Sequence, residues 1–572
     1  MFFAFVNGED MNKQAILHIP DSNYCYAVNE NTVELLLRTD KNDEFTAVNV
    51  VYGNKYDYYL KQQKAAMTLR FSDDSFNYYF IRLTLEDVRF VYVFQLICGE
   101  NCYYFSEDGI TESYNFAFAY FNSFQLPYIN KADVMPTVKW LKNSVFYQIF
   151  IDRFYCGDTS PKDYVNLPWG KIPTPESFAG GDLDGITEKL DYIKNLGADT
   201  LYLTPIFKSN SNHKYNIADY YAVDGGFGGN AAFGRLVRSA HKKGVKIVLD
   251  AVFNHCDKSF NRFQDVVKNG KKSAYYDWFL IDGDKPNESE GNYEYFGVCK
   301  YMPKFNTSNP QVQKFLIDIA VYWIKKYDID GWRLDVSDEV SHDFWRKFRL
   351  AVKKVKPNVA VIGENWHNAY PYLCGDQFDS VMNYSFTKAI TDFMINGGSA
   401  KAFKEKLSSL YVRNMRQTND MMLNLLDSHD THRFYTLANE NEDKLIAALS
   451  LVFFQTGSAC VYYGTEIPLA GGYDPDCRRT MDWDKAAKLS AVGKVIQALS
   501  KIKKTPIMTD GEIDYGYDGD LFFMERRLGD GALRLTVADD CAEYVAKNII
   551  LSHNYSNGKF SGTGFVIEGV TE

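Results

Sequence analysis

At 572 residues the chain exceeds the ~250–300 at which a single core stops growing, so several domains are expected. Its net charge of −10 excludes nucleic acid and an anionic membrane as main partner, because both demand a basic surface. The start, MFFAFVNGEDMNKQ, has neither the basic flank nor the length of apolar run that a signal peptide needs, and no run of about 18 apolar residues proposes a membrane span. The ten cysteines are sparse. Only Cys98 and Cys102 lie close together, and they lack the second pair of a zinc site, so reduced thiols in a cytoplasm are the simplest account. Aromatic residues reach 16%; most are expected to fill cores, but flat rings also stack on sugar faces.

In chain order, residues 1–130 read as strands. VELLLRT (33–39), AVNVVYG (47–53) and FVYVFQLI (90–97) are β-branched and aromatic, and turn clusters separate them, which predicts an N-terminal β-sandwich. Residues 131–504 then alternate short apolar runs with helical stretches. The runs are SVFYQIFI (144–151), DTLYLTP (199–205), KIVLDAV (246–252), GWRLDV (331–336), VAVIGE (359–364), DSVMNY (379–384), MMLNLL (421–426) and CVYYG (460–464). Between them, DGITEKLDYIKNLG carries Ile186, Leu190 and Ile193 on one stripe and closes at Gly197; NAAFGRLVRSAHKKG starts at a capping Asn230 and stops at Gly244; and Pro310 opens a helix with Val312, Phe315, Ile319 and Trp323 on one face. Eight strands separated by helices predict a (β/α)8 barrel of the TIM type. The long gap after the third strand predicts an inserted subdomain over 254–308. Residues 505–572 return to strand signals, with DG at 530–531 and NG at 557–558 as hairpin turns, and form a small C-terminal β domain.

Such barrels carry their reactive groups at the C-terminal strand ends. The third strand ends with Asp250, Asn254 and His255; the fourth with Arg333 and Asp335, two apart on one face; the fifth with Glu364; the seventh runs into His429 and Asp430. Two carboxyl groups flanking a bond are the equipment of glycoside hydrolysis. Arg333 is expected to hold Asp335 ionised as nucleophile, since a nearby cation lowers a carboxylate's pKa. The partly apolar setting of Glu364 is expected to raise its pKa for the role of acid, and Asp430 is expected to favour the positive charge of the transition state.

DAVFNH, GWRLDVSDE, GENW and LLDSHD are, in order, similar to the four signature regions of the α-amylase family of glycoside hydrolases, and MPKFN (302–306) resembles a fifth region of its cyclomaltodextrinase, neopullulanase and maltogenic amylase branch. GGYDPDCRRTMDWD (471–484) and the long N-terminal β segment look like that branch too. The resemblance implies a retaining enzyme in which Asp335 forms a covalent glycosyl intermediate, Glu364 is acid and then base, and Asp430 steadies the transition state. It also implies that His213, Tyr215, His255, Arg333 and His429 hold the sugar beside the cleaved bond. By the same resemblance Asp474 and Arg478 grip the next sugar outward, and Trp366 and Phe296 form aromatic walls on the leaving-group side. Expected substrates are α-1,4-linked glucans, namely cyclodextrins and maltooligosaccharides, with pullulan a further candidate. A 4-α-glucanotransferase using the same groups and a glucan-binding protein without catalysis are the alternatives. No cofactor is expected to be required. Asp158, Asp163 and Asp182 are the candidate donors for a structural calcium, against which Cys156 stands where relatives carry a carbonyl ligand. Asp338 and VDGGFGG (223–229) depart from the branch near the acceptor sugars. The N-terminal domain implies a homodimer.

Overall fold

The computed structural model describes residues 11–570, so the reading of the first ten residues lies outside it. Two compact units divide the chain. Of the described residues, one gathers 11–137 with Ser399–Asn419 and Asp514–Phe522; the other holds Val138–Gly398, Asp420–Ile513 and 523–570.

The first unit is built on two antiparallel sheets. In one, the order is Cys25–Asn29, Thr32–Asp40, Phe76–Thr84, Thr68–Ser72; in the other it is Gln63–Ala66, Ala47–Asn54, Phe90–Cys98, Asn101–Ser106, Gly109–Thr111, with Phe124–Leu126 also along Phe90–Cys98. Alternation drives the packing. Val33, Leu35 and Leu37 point inward from one sheet to meet Val48, Val50, Tyr92, Phe94 and Leu96 from the other, in a single core. Each such buried side chain contributes roughly 1.5–3 kcal/mol of hydrophobic stabilisation.

The second unit contains the eight-stranded barrel. Its strands are β1 (Val145–Ile149), β2 (Thr200–Leu203), β3 (Lys246–Ala251), β4 (Gly331–Leu334), β5 (Ala360–Gly363), β6 (Ser380–Val381), β7 (Leu423–Leu425) and β8 (Ser458–Tyr462). They pair in parallel in the order β6-β5-β4-β3-β2-β1-β8-β7, and a parallel bridge between Met382 and Leu423 closes the ring. All eight lie where the apolar runs predicted, because strands covered on both faces need near-continuous hydrophobic sequence. Register matters for function: Asp250 pairs with Arg333, and Leu334 with Gly363, so the ends of β3, β4 and β5 stand level.

The helices follow the predicted punctuation with two differences. Pro310–Tyr327 has Pro310 in its first turn, and the Asn309 side chain accepts from the N–H groups of Gln311 and Val312; Val312, Ile319 and Trp323 are buried, Phe315 half-buried. The stretch after residue 183 is two helices, Leu183–Glu188 and Leu190–Asn195. They break at Lys189, whose ammonium lies over the rings of Tyr155 and Trp483. Asn230 does not cap its helix, which begins at Gly229; its side-chain oxygen accepts instead from the Val223 N–H. Between β3 and β4, residues 254–308 hold the helix Asn261–Asn269 and a set of short bridges. At the end of the chain, Lys559–Val570 pairs antiparallel with Gly531–Ala538, Ala542–Glu543 and Ile549–Ser556. Asn557 and Gly558 both take positive φ in the tight turn that leads into it.

Gly457 turns the chain into β8 at φ +86°, and a Cβ there would stand 2.3 Å from the Met422 carbonyl oxygen. Gly457→Ala is expected to lower the free energy of unfolding by about 1–3 kcal/mol, read from the urea midpoint. An unchanged midpoint would contradict this close approach.

Candidate active site

β4 alternates as its sequence demands. Trp332 and Leu334 pack outward, while Arg333 points into the barrel with 1% of its surface exposed. A guanidinium so buried must be paired. Its Nη1 donates to both oxygens of Asp250 at 2.9 and 3.0 Å and to Asp335 Oδ1 at 2.8 Å. Its Nη2 stands 2.7 Å from Glu364 Oε1, in an ion pair, and 3.9 Å from Asp430 Oδ2. One cation therefore draws together carboxylates from four strand ends.

The turn after β4 completes the arrangement. Val336 is held in the left-handed region at φ +45°, costly for a β-branched residue, and in that conformation its N–H donates to Glu364 Oε2 at 2.9 Å. Ser337 Oγ donates to the Glu364 carbonyl at 2.8 Å. Gly363 leaves room for Phe378: a Cβ there would meet its ring at 2.5 Å.

Burial pushes Glu364 up to about 7, with Asp430 and Asp250 adding to the rise and Arg333 opposing it. Burial also raises Asp335 well above the usual carboxylate range, against the pull of Arg333. The sequence led to a lowered Asp335; its direction is the opposite because desolvation and three neighbouring carboxylates outweigh one shared guanidinium. Of the set, Glu364 is the group placed to hold a proton near neutrality. Asp430 differs. Burial raises it, but His429, Arg478 and Arg333 outweigh that, and its carboxyl lies below the ordinary value.

A cavity of about 530 Å³ opens over these groups, lined by Asp335, Glu364, Asp430, His213, Tyr215, His255, Phe296, Trp366, Asp474 and Arg478 among others. Ten of the twelve residues expected to hold or cleave the sugar thus line one space, and Arg333 and His429 lie beneath it. Gln148 donates to His429 Nδ1 at 2.7 Å, which leaves the proton on Nε2, facing Tyr215 Oη at 2.5 Å and Asp430 at 3.1 Å. Tyr215 in turn donates to Asp250 at 2.8 Å, and its ring lies parallel to that of His429, 4° apart in plane. His213, His255 and His429 are each lowered to about 3 by burial, so all three are neutral. His255 Nε2 is buried without a partner, a polar atom that a sugar hydroxyl would satisfy. Arg478 bridges Asp474 at 2.8 Å and Asp430 at 3.3 Å. Phe296 stacks on His255 at 4.7 Å, and Trp366, half exposed, lies flat on Tyr384 at 3.8 Å.

Several lining residues received no role from the sequence although they lie within the quoted motifs: Tyr473, Met302, Val336 and Glu339; nor did Tyr384 under Trp366 or Gln148 beside His429. Asp338 does line the cavity, paired with His367 at 2.9 Å. Residues 223–229 do not; Asp224, Gly226 and Phe227 line a separate cavity of about 240 Å³. The three candidate calcium donors are not gathered either. Asp158 and Asp163 are exposed, Asp182 is buried, and among the described residues no group of three or more His, Cys, Asp or Glu side chains could hold a metal ion.

Cleaving a bond between sugars requires one carboxyl group that yields a proton and another that takes up the positive carbon. Glu364 and Asp335, tied through Arg333 at the mouth of a (β/α)8 barrel, meet both needs, which places the protein among the glycoside hydrolases. Residues 148–508 match the family model for the catalytic domain of alpha amylase, and residues 11–130 match that for the alpha amylase N-terminal ig-like domain. A cyclomaltodextrinase of Thermoanaerobacter pseudethanolicus is 43% identical, over 88% of each chain. An intracellular maltogenic amylase of Bacillus subtilis is 40% identical over 88% of this chain and 87% of its own. Among solved structures, a cyclomaltodextrinase superposes with a TM-score of 0.88 at 35% identity, covering 98% of both chains. The chain belongs to the α-amylase family.

An acid that must hold its proton sets the sign of the pH dependence: activity falls as pH rises through the Glu364 pKa. The alkaline limb of kcat/KM is expected near pH 7. A limb two or more units higher would show that Glu364 is not the titrating group.

Proposed function

We propose that the protein hydrolyses α-1,4-glucosidic bonds of cyclodextrins and maltooligosaccharides, and also cleaves pullulan, with retention at the anomeric carbon. The observation that carries the reading is the single guanidinium of Arg333 joined to Asp335 at 2.8 Å and Glu364 at 2.7 Å under one sugar-sized cavity. Asp335 attacks the anomeric carbon as Glu364 protonates the departing oxygen. A glycosyl ester on Asp335 forms, and the leaving sugar departs with that proton. Glu364, now ionised, takes a proton from water, whose oxygen attacks the same carbon and frees Asp335. Asp430, held ionised and positioned by the Nε2–H of His429 beneath it, holds the ring hydroxyls as positive charge develops. Trp366, backed by Tyr384, gives the leaving glucose a flat apolar wall.

Asp335→Asn is expected to cut kcat by roughly 10⁴-fold or more with an unchanged circular dichroism spectrum; near-normal turnover would end this mechanism. On maltotriose, shorter products are expected. Maltotetraose and longer oligomers as the main products would instead identify a 4-α-glucanotransferase.

All ten cysteines are free thiols, no helix among the described residues is long and apolar enough to cross a membrane, and one relative is named as intracellular; these support work in the cytoplasm on the breakdown of starch-derived glucans. The N-terminal unit exposes Tyr56, Tyr59, Leu60, Phe118, Tyr120 and Phe121, each more than half exposed, around the small cluster of Tyr58, Val91 and Ala119. Such a concentration of exposed apolar side chains marks an interface, and a second copy of the chain is its occupant in this reading. Light scattering is expected to give twice the 65.6 kDa of one chain, and the double variant Leu60→Glu, Phe121→Glu to give the single mass. A wild-type monomer at micromolar concentration would refute it.

A further inference from the structure

The loops that follow β1 come together around Asp182. Its carboxylate is almost fully used: Oδ1 accepts from the Gly157 N–H at 3.1 Å and the Gly185 N–H at 2.7 Å, and Oδ2 accepts from the Asp158 N–H at 2.9 Å. The remaining site on Oδ2 is taken by the ammonium of Lys162 at 3.1 Å, which also donates to the Gly180 carbonyl at 3.2 Å and faces Cys156 Sγ at 3.8 Å. Side-chain exposure is 12% for Lys162 and 3% for Asp182, so this pair is screened little by solvent. Burial works against the charged lysine, but the Asp182 carboxylate outweighs it and the pKa of Lys162 lies above its ordinary value.

We infer that the Lys162 ammonium stands where a structural divalent cation would otherwise hold these loops, so that the fold around Asp182 is closed without a metal. The donor set argues for it. Calcium takes six to eight oxygens at roughly 2.3–2.6 Å, whereas of Asp158, Asp163 and Asp182 only Asp182 is buried, and the neighbouring buried Asp152 is taken up by Arg153 and the N–H groups of Ala179 and Gly180. Asp158 is exposed and its Oδ1 accepts from the Ser160 N–H at 3.0 Å, and Asp163 is exposed. Cys156 brings a soft sulfur whose thiol donates to the Asp158 carbonyl at 3.0 Å, and burial, the largest influence on it, raises its pKa and favours the neutral form. A divalent ion in contact with Asp182 would also stand beside the ammonium, with strong repulsion. The backbone leaves little space: a Cβ on Gly157 would lie 2.4 Å from the Gly185 nitrogen, and one on Gly185 would lie 2.2 Å from the Tyr155 oxygen. One ion pair does what a coordination shell does elsewhere, pinning residues 156–162 to the start of the helix Leu183–Glu188, which Asp182 caps.

The test is thermal unfolding of the full chain at a fixed scan rate, for the wild type and Lys162→Met. Wild-type midpoints in excess EDTA and in millimolar calcium chloride are expected to agree within error, and Lys162→Met, which keeps the length of the side chain and removes its charge, is expected to melt several degrees lower. The inference is overturned if the wild-type midpoint falls on chelation and recovers with calcium, a response absent from Asp182→Asn. It is equally overturned if Lys162→Met melts with the wild type. Should that variant fail to fold, calcium titration calorimetry on the wild type decides: no stoichiometric binding supports the inference, and binding that Asp182→Asn abolishes refutes it.

Discussion

The site hangs on the charge of Arg333. With four carboxyl groups within 4 Å, the guanidinium is what makes their convergence inside a barrel tolerable. Remove it and Asp250, Asp335 and Glu364 would face one another in a space with little water, where like charges are resolved only by taking up protons. Keep it and the cluster stays compact, with Glu364 raised and Asp430 lowered although one cation faces both. Binding a sugar over Asp335 alters that balance, since the developing positive carbon favours the ionised form of the attacking carboxyl. The same buried cation therefore serves folding and chemistry at once.

Around this centre, control of orientation is mostly indirect. His429 reaches the cavity through its neighbours: Gln148 fixes which ring nitrogen bears the proton, and Tyr215 and Asp250 fix the plane of the ring. Val336 accepts an unfavourable backbone conformation and in return aims an N–H at Glu364. Trp366 is half exposed yet rigid, because Tyr384 lies under it face to face. Each contact constrains a group that would otherwise have two or three rotamers to choose from.

Much of this was legible in the chain. The eight strands appeared as apolar runs, since a parallel sheet covered on both faces leaves that mark. The reactive carboxyls could be found at strand ends because period-two alternation places them. Helix punctuation was readable at Pro310 and Gly244, but not at Lys189 or Asn230, where tertiary contacts to Tyr155 and Trp483, or to the Val223 N–H, replaced the local preference. Tyr473 and Tyr384 escaped because an aromatic residue looks the same in sequence whether it fills a core or lines a cavity. The direction of the Asp335 pKa escaped for a different reason: adjacency to Arg333 is visible in the sequence, while depth and the number of competing anions are properties of the folded barrel. Lys162 and Asp182 are 20 positions apart, and no spacing rule announces their meeting.

The ring of strands is not bonded evenly around its circumference. β6 contributes two residues and β7 three, and a single bridge between Met382 and Leu423 joins them, whereas β3 and β4 share four registered pairs. A closed hoop with one thin joint has a built-in place to part. Amides flanking that joint should be the first of the barrel to exchange with solvent, ahead of those in the opposite arc of β3 and β2. Loosening of the hoop would then begin between the neighbour of the strand that ends at Glu364 and the strand that leads into Asp430, at the rim of the charge cluster.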